Sequence, residues 1–426
     1  MTDVLPAGAC LLHIGPYKTG SSALQLAMHA ARSQLGEYGV LYPGERPRAD
    51  RAGWGVIGRS PRGRDPARIE EWRALVDEVE AARDLRVCVS TEDFGRVGPR
   101  FTKRIAGDLG VDRLVVLAVA RRLDRLLPSQ WQQRAQSHHT ESYDEFLRVV
   151  LAEAPQRDPT AKAFWKSHDL GAMIRRWQAA VGSAEKIVVV VADESDRSLV
   201  PHTFEELLGL PAGLLDPDAG GTNPSLSLNG VELLRRVNQT FAEQGWSDEV
   251  YMRLVQRGMV PVMKAHEPDT ASDLPDLLDL LVPPMPPWAA ERVAELSAER
   301  VETLTGSGVQ VIGDPGRLIA SPPSEDDADY RPGWISVDAA ALAVQGVVGA
   351  SFGLAERAET RNAATLKAAH AEARRAARTA RLAATAAERA LAQAQEPGAA
   401  VARTSSRDLL RVIAGRMLRR LTGRRS

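Results

Sequence analysis

Cysteine is almost absent from this chain, with only Cys10 and Cys88 among 426 residues. Each stands alone in an apolar run, with no cysteine or histidine partner at metal-ligand spacing. A disulfide framework or a zinc knuckle is therefore not expected, and both read as small core residues in reducing surroundings. Long apolar runs are also missing. No stretch of about 18 apolar residues occurs, so no membrane-spanning helix is expected. The first nine residues carry no basic region ahead of an apolar segment. That is unlike a secretory leader, and the expected location is cytoplasmic. Net charge is −1, which gives no whole-molecule field for a nucleic-acid partner. Histidines are scattered. Only His138 and His139 adjoin, and adjacent helical side chains do not face each other, so no metal site is expected.

What is present is enough to build a large core. Apolar residues make up 44% and charged residues 26% of the chain, as in ordinary globular proteins. Residues 10–15 (CLLHIG), 85–90 (LRVCVS), 114–120 (LVVLAVA) and 186–192 (KIVVVVA) are continuously apolar rather than alternating. Such runs suit parallel strands covered on both faces. Segments with helical spacing at 21–33, 68–82, 122–136, 143–152 and 170–181 separate them. The pattern predicts an α/β fold: a mainly parallel sheet flanked by helices, in the three layers of a P-loop-like architecture, with an all-helical C-terminal extension. Ligands would bind at the carboxyl ends of the strands. A helix over 289–304 and a short strand over 308–312 complete a catalytic domain spanning 1–320.

Beyond residue 320 the composition changes. Residues 321–350 read as a linker and short irregular segment, opening on the acidic SPPSEDDAD. Residues 351–396 form a long alanine- and arginine-rich helix, free of glycine and proline from Leu354 onward. Its apolar face is mostly alanine, a weak seam that suits a stalk or loose coiled coil, so a homo-oligomer is plausible. In 397–426, Leu410, Ile413, Met417 and Leu421 fall at helical spacing among arginines. A basic amphipathic helix of this kind can rest on an anionic membrane surface, which would make the protein peripheral to the membrane; the alternatives are a solvated or disordered tail and a helix that packs on a partner.

Chemistry concentrates in Gly15-Pro16-Tyr17-Lys18-Thr19-Gly20-Ser21-Ser22, between the first strand and the first helix. The two glycines have phosphate-loop spacing, but the lysine lies inside the loop rather than after the second glycine. Anion binding survives that change. Glycine permits close backbone approach, the helix start offers free N–H groups, and Lys18, Ser21 and Ser22 add donors. The lysine and Mg²⁺ arrangement that serves a γ-phosphate is gone.

LLHIGPYKTGSSALQ resembles the 5′-phosphosulfate loop of sulfotransferases that use 3′-phosphoadenosine-5′-phosphosulfate (PAPS). A second segment strengthens the resemblance: a strand ending in Arg121, then Ser129 eight residues on. In that family an arginine and a serine so spaced bind the 3′-phosphate. Arg122 competes for the role, but only Arg121 gives the spacing. GVLYP (39–43), VSTE (89–92) and TNPSLS (222–227) echo bacterial members, so the likeness spans about residues 8–315. It implies PAPS as donor, held by Gly15, Lys18, Thr19, Gly20, Ser21, Ser22, Arg121 and Ser129, without a metal. The acceptor would be a hydroxyl or amine of a glycan, glycolipid or small molecule. Lys18 would stabilise the leaving phosphate.

The base has three candidates. Many bacterial relatives carry a histidine shortly after the Tyr-Pro turn, and here the stretch reads Arg51-Ala-Gly-Trp54-Gly. Glu92 is the leading candidate, with His13 and Asp93 behind it. A carboxylate at 92 could instead cap a helix or pair with Arg96. Two other readings remain open: a P-loop kinase, and a catalytically degenerate PAPS-binding or scaffold protein.

Overall fold

The computed structural model describes residues 3–61, 65–216, 226–266, 283–320 and 337–394, together with Arg411. Most of the leucine stretch at 274–287, residues 222–225 of the TNPSLS segment, the acidic linker and the basic tail except Arg411 lie outside the described residues.

Six parallel strands form one sheet in the order β2-β3-β1-β4-β5-β6. They are β1 (Cys10–His13), β2 (Val40–Leu41), β3 (Arg86–Ser90), β4 (Leu114–Ala120), β5 (Ile187–Val191) and β6 (Gln310–Ile312). β1 is central, with Leu12 opposite Val89 on one side and Val116 on the other. From β1 the chain builds β2 and β3 to one side, then crosses to β4 on the other. That reversal opens a crevice at the carboxyl ends of β1, β3 and β4, where open α/β sheets bind ligands. The loop that follows β1 therefore sits at the switch point.

Alternating residues divide the core into two faces. Cys10, Leu12, Val87, Val89, Val116 and Ala118 pack with helices Ile69–Ala81, Pro99–Leu109 and Leu170–Val181. Leu11, Cys88, Leu117, Val119 and Val190 pack with helices Ser21–Ala30 and Leu199–Leu208. The two cysteines thus lie on opposite faces, and burial pushes the Cys10 thiol up to about 12, well away from reactive thiolate. A third apolar cluster joins helices Leu123–Gln136, Tyr143–Val150, Leu228–Glu243 and Pro287–Thr305.

The chain divides into two units, Met1–Ser351 and Phe352–Ser426. The long helix begins earlier than its composition predicts, running Val337–Ala394. The expected irregular segment is therefore helical over its described part. Gly346 and Gly349 read as helix breakers, yet Gly346 has a packing role. A Cβ there would lie 2.6 Å from Met259 Cα and 2.7 Å from the Gly258 carbonyl oxygen. A Cβ on Gly258 would likewise lie 2.7 Å from the Gly346 carbonyl. Two glycines let these helices approach at backbone distance, and that close contact offsets the propensity penalty of about 1 kcal/mol each.

Candidate active site

The loop after β1 turns on three residues with positive φ: Gly15 at 90°, Lys18 at 69° and Gly20 at 88°. Gly15 is required twice over, because a Cβ there would also press within 3.1 Å of Glu92 Cα. Lys18 adopts a conformation that costs a non-glycine residue about 1 kcal/mol or more. The loop holds itself together around it. Thr19 Oγ1 donates to the Pro16 carbonyl at 2.9 Å and lies 3.3 Å from Ser21 Oγ. Thr19 and Ser21 are buried, and no side chain caps the Ser21–Ala30 helix. Its leading N–H groups are thus left for an anion. Ser22 accepts a hydrogen bond of 2.6 Å from Arg48 Nη2.

Arg121, at the end of β4, meets this loop directly. Its Nη1 donates to the Lys18 carbonyl at 2.9 Å. Its Nε and Nη2 donate to the Glu194 carboxylate at 2.6 and 3.0 Å. Glu194 thus occupies the planar fork that would match phosphate oxygens, so a phosphate must displace it or share the arginine with it. Arg122 pairs instead with Asp124 at 2.7 Å, at the start of the next helix. Ser129 lies half-buried in that helix, Leu123–Gln136, with no hydrogen bond to Arg121.

Three candidates for a base separate by environment. His13 is fully buried: its Nδ1 lies 2.8 Å from Ser90 Oγ, and its ring meets Phe204 edge-on. Burial pushes it down to about 4, so it is a neutral core residue. Asp93 is tied by three donors: Tyr17 Oη at 2.5 Å, Trp54 Nε1 at 2.7 Å and Arg96 Nη2 at 3.0 Å. It fastens the loop to the turn after β3, and its carboxylate oxygens are already engaged by those donors. Arg96 therefore serves Asp93 rather than Glu92. Glu92 is left facing the loop. Burial raises its carboxyl above the usual range, opposed by Arg48, a hydrogen bond from Ser21 and Lys18.

Lys18 is pushed down to about 8, first by burial and then by Lys264, Arg121 and Arg48, with Glu92 pulling the other way. Cations from three other segments of the chain therefore bear on the loop. Sequence reasoning missed Arg48, Lys264 and Glu194. Each is one of many surface-type residues in its segment, and nothing local marks it as belonging here.

His13 gives a first expected result. The unfolded chain binds a proton near pH 6.5, whereas the folded ring does so only near 4. Stability should thus be lost as pH falls from about 6.5 to about 4, by up to about 3 kcal/mol from this residue. Urea midpoints measured across that range should show a shallower acid slope in His13→Gln than in wild type.

Comparison of this chain with family models, with curated proteins and with solved structures found no match.

Proposed function

We propose that this protein transfers a sulfuryl group from PAPS to a hydroxyl or amine of an acceptor such as a glycan, glycolipid or small molecule. The observation that carries the reading is the 2.9 Å hydrogen bond from Arg121 to the Lys18 carbonyl. It puts the residues expected to grip the two anionic ends of one donor side by side at the sheet's switch point. Lys18, Thr19, Gly20, Ser21 and Ser22 would hold the 5′ end, and Arg121 the 3′-phosphate, with Ser129 reaching it from the following helix.

In the transfer, the acceptor oxygen or nitrogen bonds to sulfur as the sulfur–oxygen bond to the 5′-phosphate breaks. The acceptor loses one proton, and the second product is 3′,5′-adenosine bisphosphate. Negative charge grows on the oxygen that leaves, and Lys18 is the cation available to meet it. Glu92, beside Lys18, takes the acceptor proton. No step in this scheme calls for a metal.

Thermal melting tests the donor assignment. At 100 times its dissociation constant, 3′,5′-adenosine bisphosphate should add about 2.7 kcal/mol and raise the midpoint by a few degrees without Mg²⁺. Stabilisation by ATP–Mg²⁺ alone would favour a kinase and end the sulfotransferase reading. Labelled PAPS offered to carbohydrate, lipid and phenol acceptors then identifies the class that is sulfated.

A further inference from the structure

Arg121 looks two ways. Its side chain reaches the loop, while its carbonyl accepts a 3.0 Å hydrogen bond from Arg300 Nη1, on helix Pro287–Thr305. Arg300 lines a cavity of about 340 Å³ together with Trp165, His168, Asp169, Arg175 and Leu296. Among the described residues, none from the 15–22 loop lines it. Its volume is that of a small-molecule pocket.

Two polar atoms of this lining lack any partner. They are Arg300 Nε and His168 Nδ1, and the His168 side chain is only 2% exposed. Ser297 Oγ, one turn earlier on the Arg300 helix, is a third buried atom without a partner. Nor does any carboxylate among the described residues come within ion-pair distance of Arg300. Asp169 acts on it only through the longer-range field, and its Oδ1 caps the next helix by accepting from Ala172 N–H at 2.8 Å. Arg300 as a whole is half-buried, but its Nε is withdrawn from solvent, and a guanidinium so placed without a counter-ion is costly to hold. Burial brings Arg300 down to about 10, still charged at neutral pH. Burial, and then Arg300 itself, bring His168 down to about 3, so the imidazole stays neutral and leaves the positive charge to the arginine.

Charge counting across the cavity does not by itself favour an anion, because Glu153 and Glu299 stand at its wall along with Arg175 and Arg292. Arg300 decides, since among the described residues it is the lining cation with an unpartnered buried Nε and no ion pair. Trp165 and Leu296 supply apolar surface to the same lining. We propose that this cavity is a second ligand site, seating a small organic oxyanion with its carboxylate, phosphate or sulfate group on Arg300 and His168 and its apolar part against Trp165 and Leu296. The site is independent of the sulfuryl-transfer reading.

The probes are benzoate, phenyl phosphate and phenyl sulfate, titrated into full-length protein labelled with ¹³C,¹⁵N-histidine. Lys18→Met, made in the same chain, weakens anion binding at the loop. His168→Gln assigns the His168 ring signals. At least one probe should shift those signals saturably, and comparison of the three identifies the preferred head group. Arg300→Gln should weaken that binding by about tenfold or more, the worth of a charge-assisted hydrogen bond. Leu296→Trp, which fills the cavity and leaves the arginine in place, should do the same and serves if Arg300→Gln does not melt cooperatively. Unshifted His168 signals in all three titrations would overturn the proposal. So would shifts that persist unchanged in a folded Arg300→Gln or Leu296→Trp protein, since the anion would then sit elsewhere.

Discussion

Lys18→Met should lower the rate of sulfuryl transfer at saturating PAPS by about 10²–10³-fold, the usual loss when one group aimed at developing charge is removed. Donor binding should weaken as well, so kcat/KM should fall further than kcat. The position of Lys18 makes the effect large. It is half-buried, held in a left-handed backbone conformation, and surrounded by Lys264, Arg121 and Arg48. These surroundings push it down to about 8, so it is charged below that pH and loses its charge above it. A bound anion reverses the shift by favouring the ammonium form. Binding of 3′,5′-adenosine bisphosphate at pH 9 should therefore take up a proton, and at pH 7 almost none. Calorimetry in buffers of different ionisation enthalpy measures that uptake, and Lys18→Met should abolish it. A variant with unaltered kcat would remove Lys18 from the chemistry.

Glu92→Gln should reduce kcat by about 10²–10⁴-fold while leaving bisphosphate affinity equal or tighter. The amide has nearly the carboxylate's shape but cannot take a proton, and its neutrality removes a repulsion toward the donor's phosphates. The same ionisation should appear in the wild-type pH profile. Glu92 is raised by burial, so kcat should climb with pH through its titration above the ordinary glutamate range. That acid limb should vanish in the variant. Full activity in Glu92→Gln would exclude this residue as the base. With His13 sealed in the core and Asp93 held by three donors, neither of the other two candidates would then replace it. A wild-type chain that binds the bisphosphate yet sulfates no acceptor would be the donor-binding protein without turnover.

Much of the fold was legible because its signals are local. Continuous apolar runs marked β1, β3, β4 and β5, and glycine-bounded spacing marked the loop, since strand burial and turn stereochemistry act within a few residues. The two-residue β2 was not legible. It is too short for periodicity to register, and it exists because Val40 and Leu41 pair with Arg86 and Val87. Gly346 is the converse case. Its local preference is against helix, but a contact with Gly258, 88 positions away, outweighs it.

The site divides along the same line. Sequence alone pointed to the segments expected to carry phosphate-type chemistry, and the eight-residue interval that the resemblance calls for favoured Arg121 over Arg122. It left Glu92, Asp93 and His13 as rivals, because three titratable side chains near strand ends look alike until their neighbours are known. Packing separated them: one is sealed against Phe204, one is fastened by Tyr17, Trp54 and Arg96, and one remains beside Lys18. Packing also brought in Arg48, Lys264 and Glu194, and placed Arg300 behind Arg121. Burial and partner charge set what an ionisable group can do, and both are properties of residues far apart in the chain that only the folded sheet and its helices bring within reach.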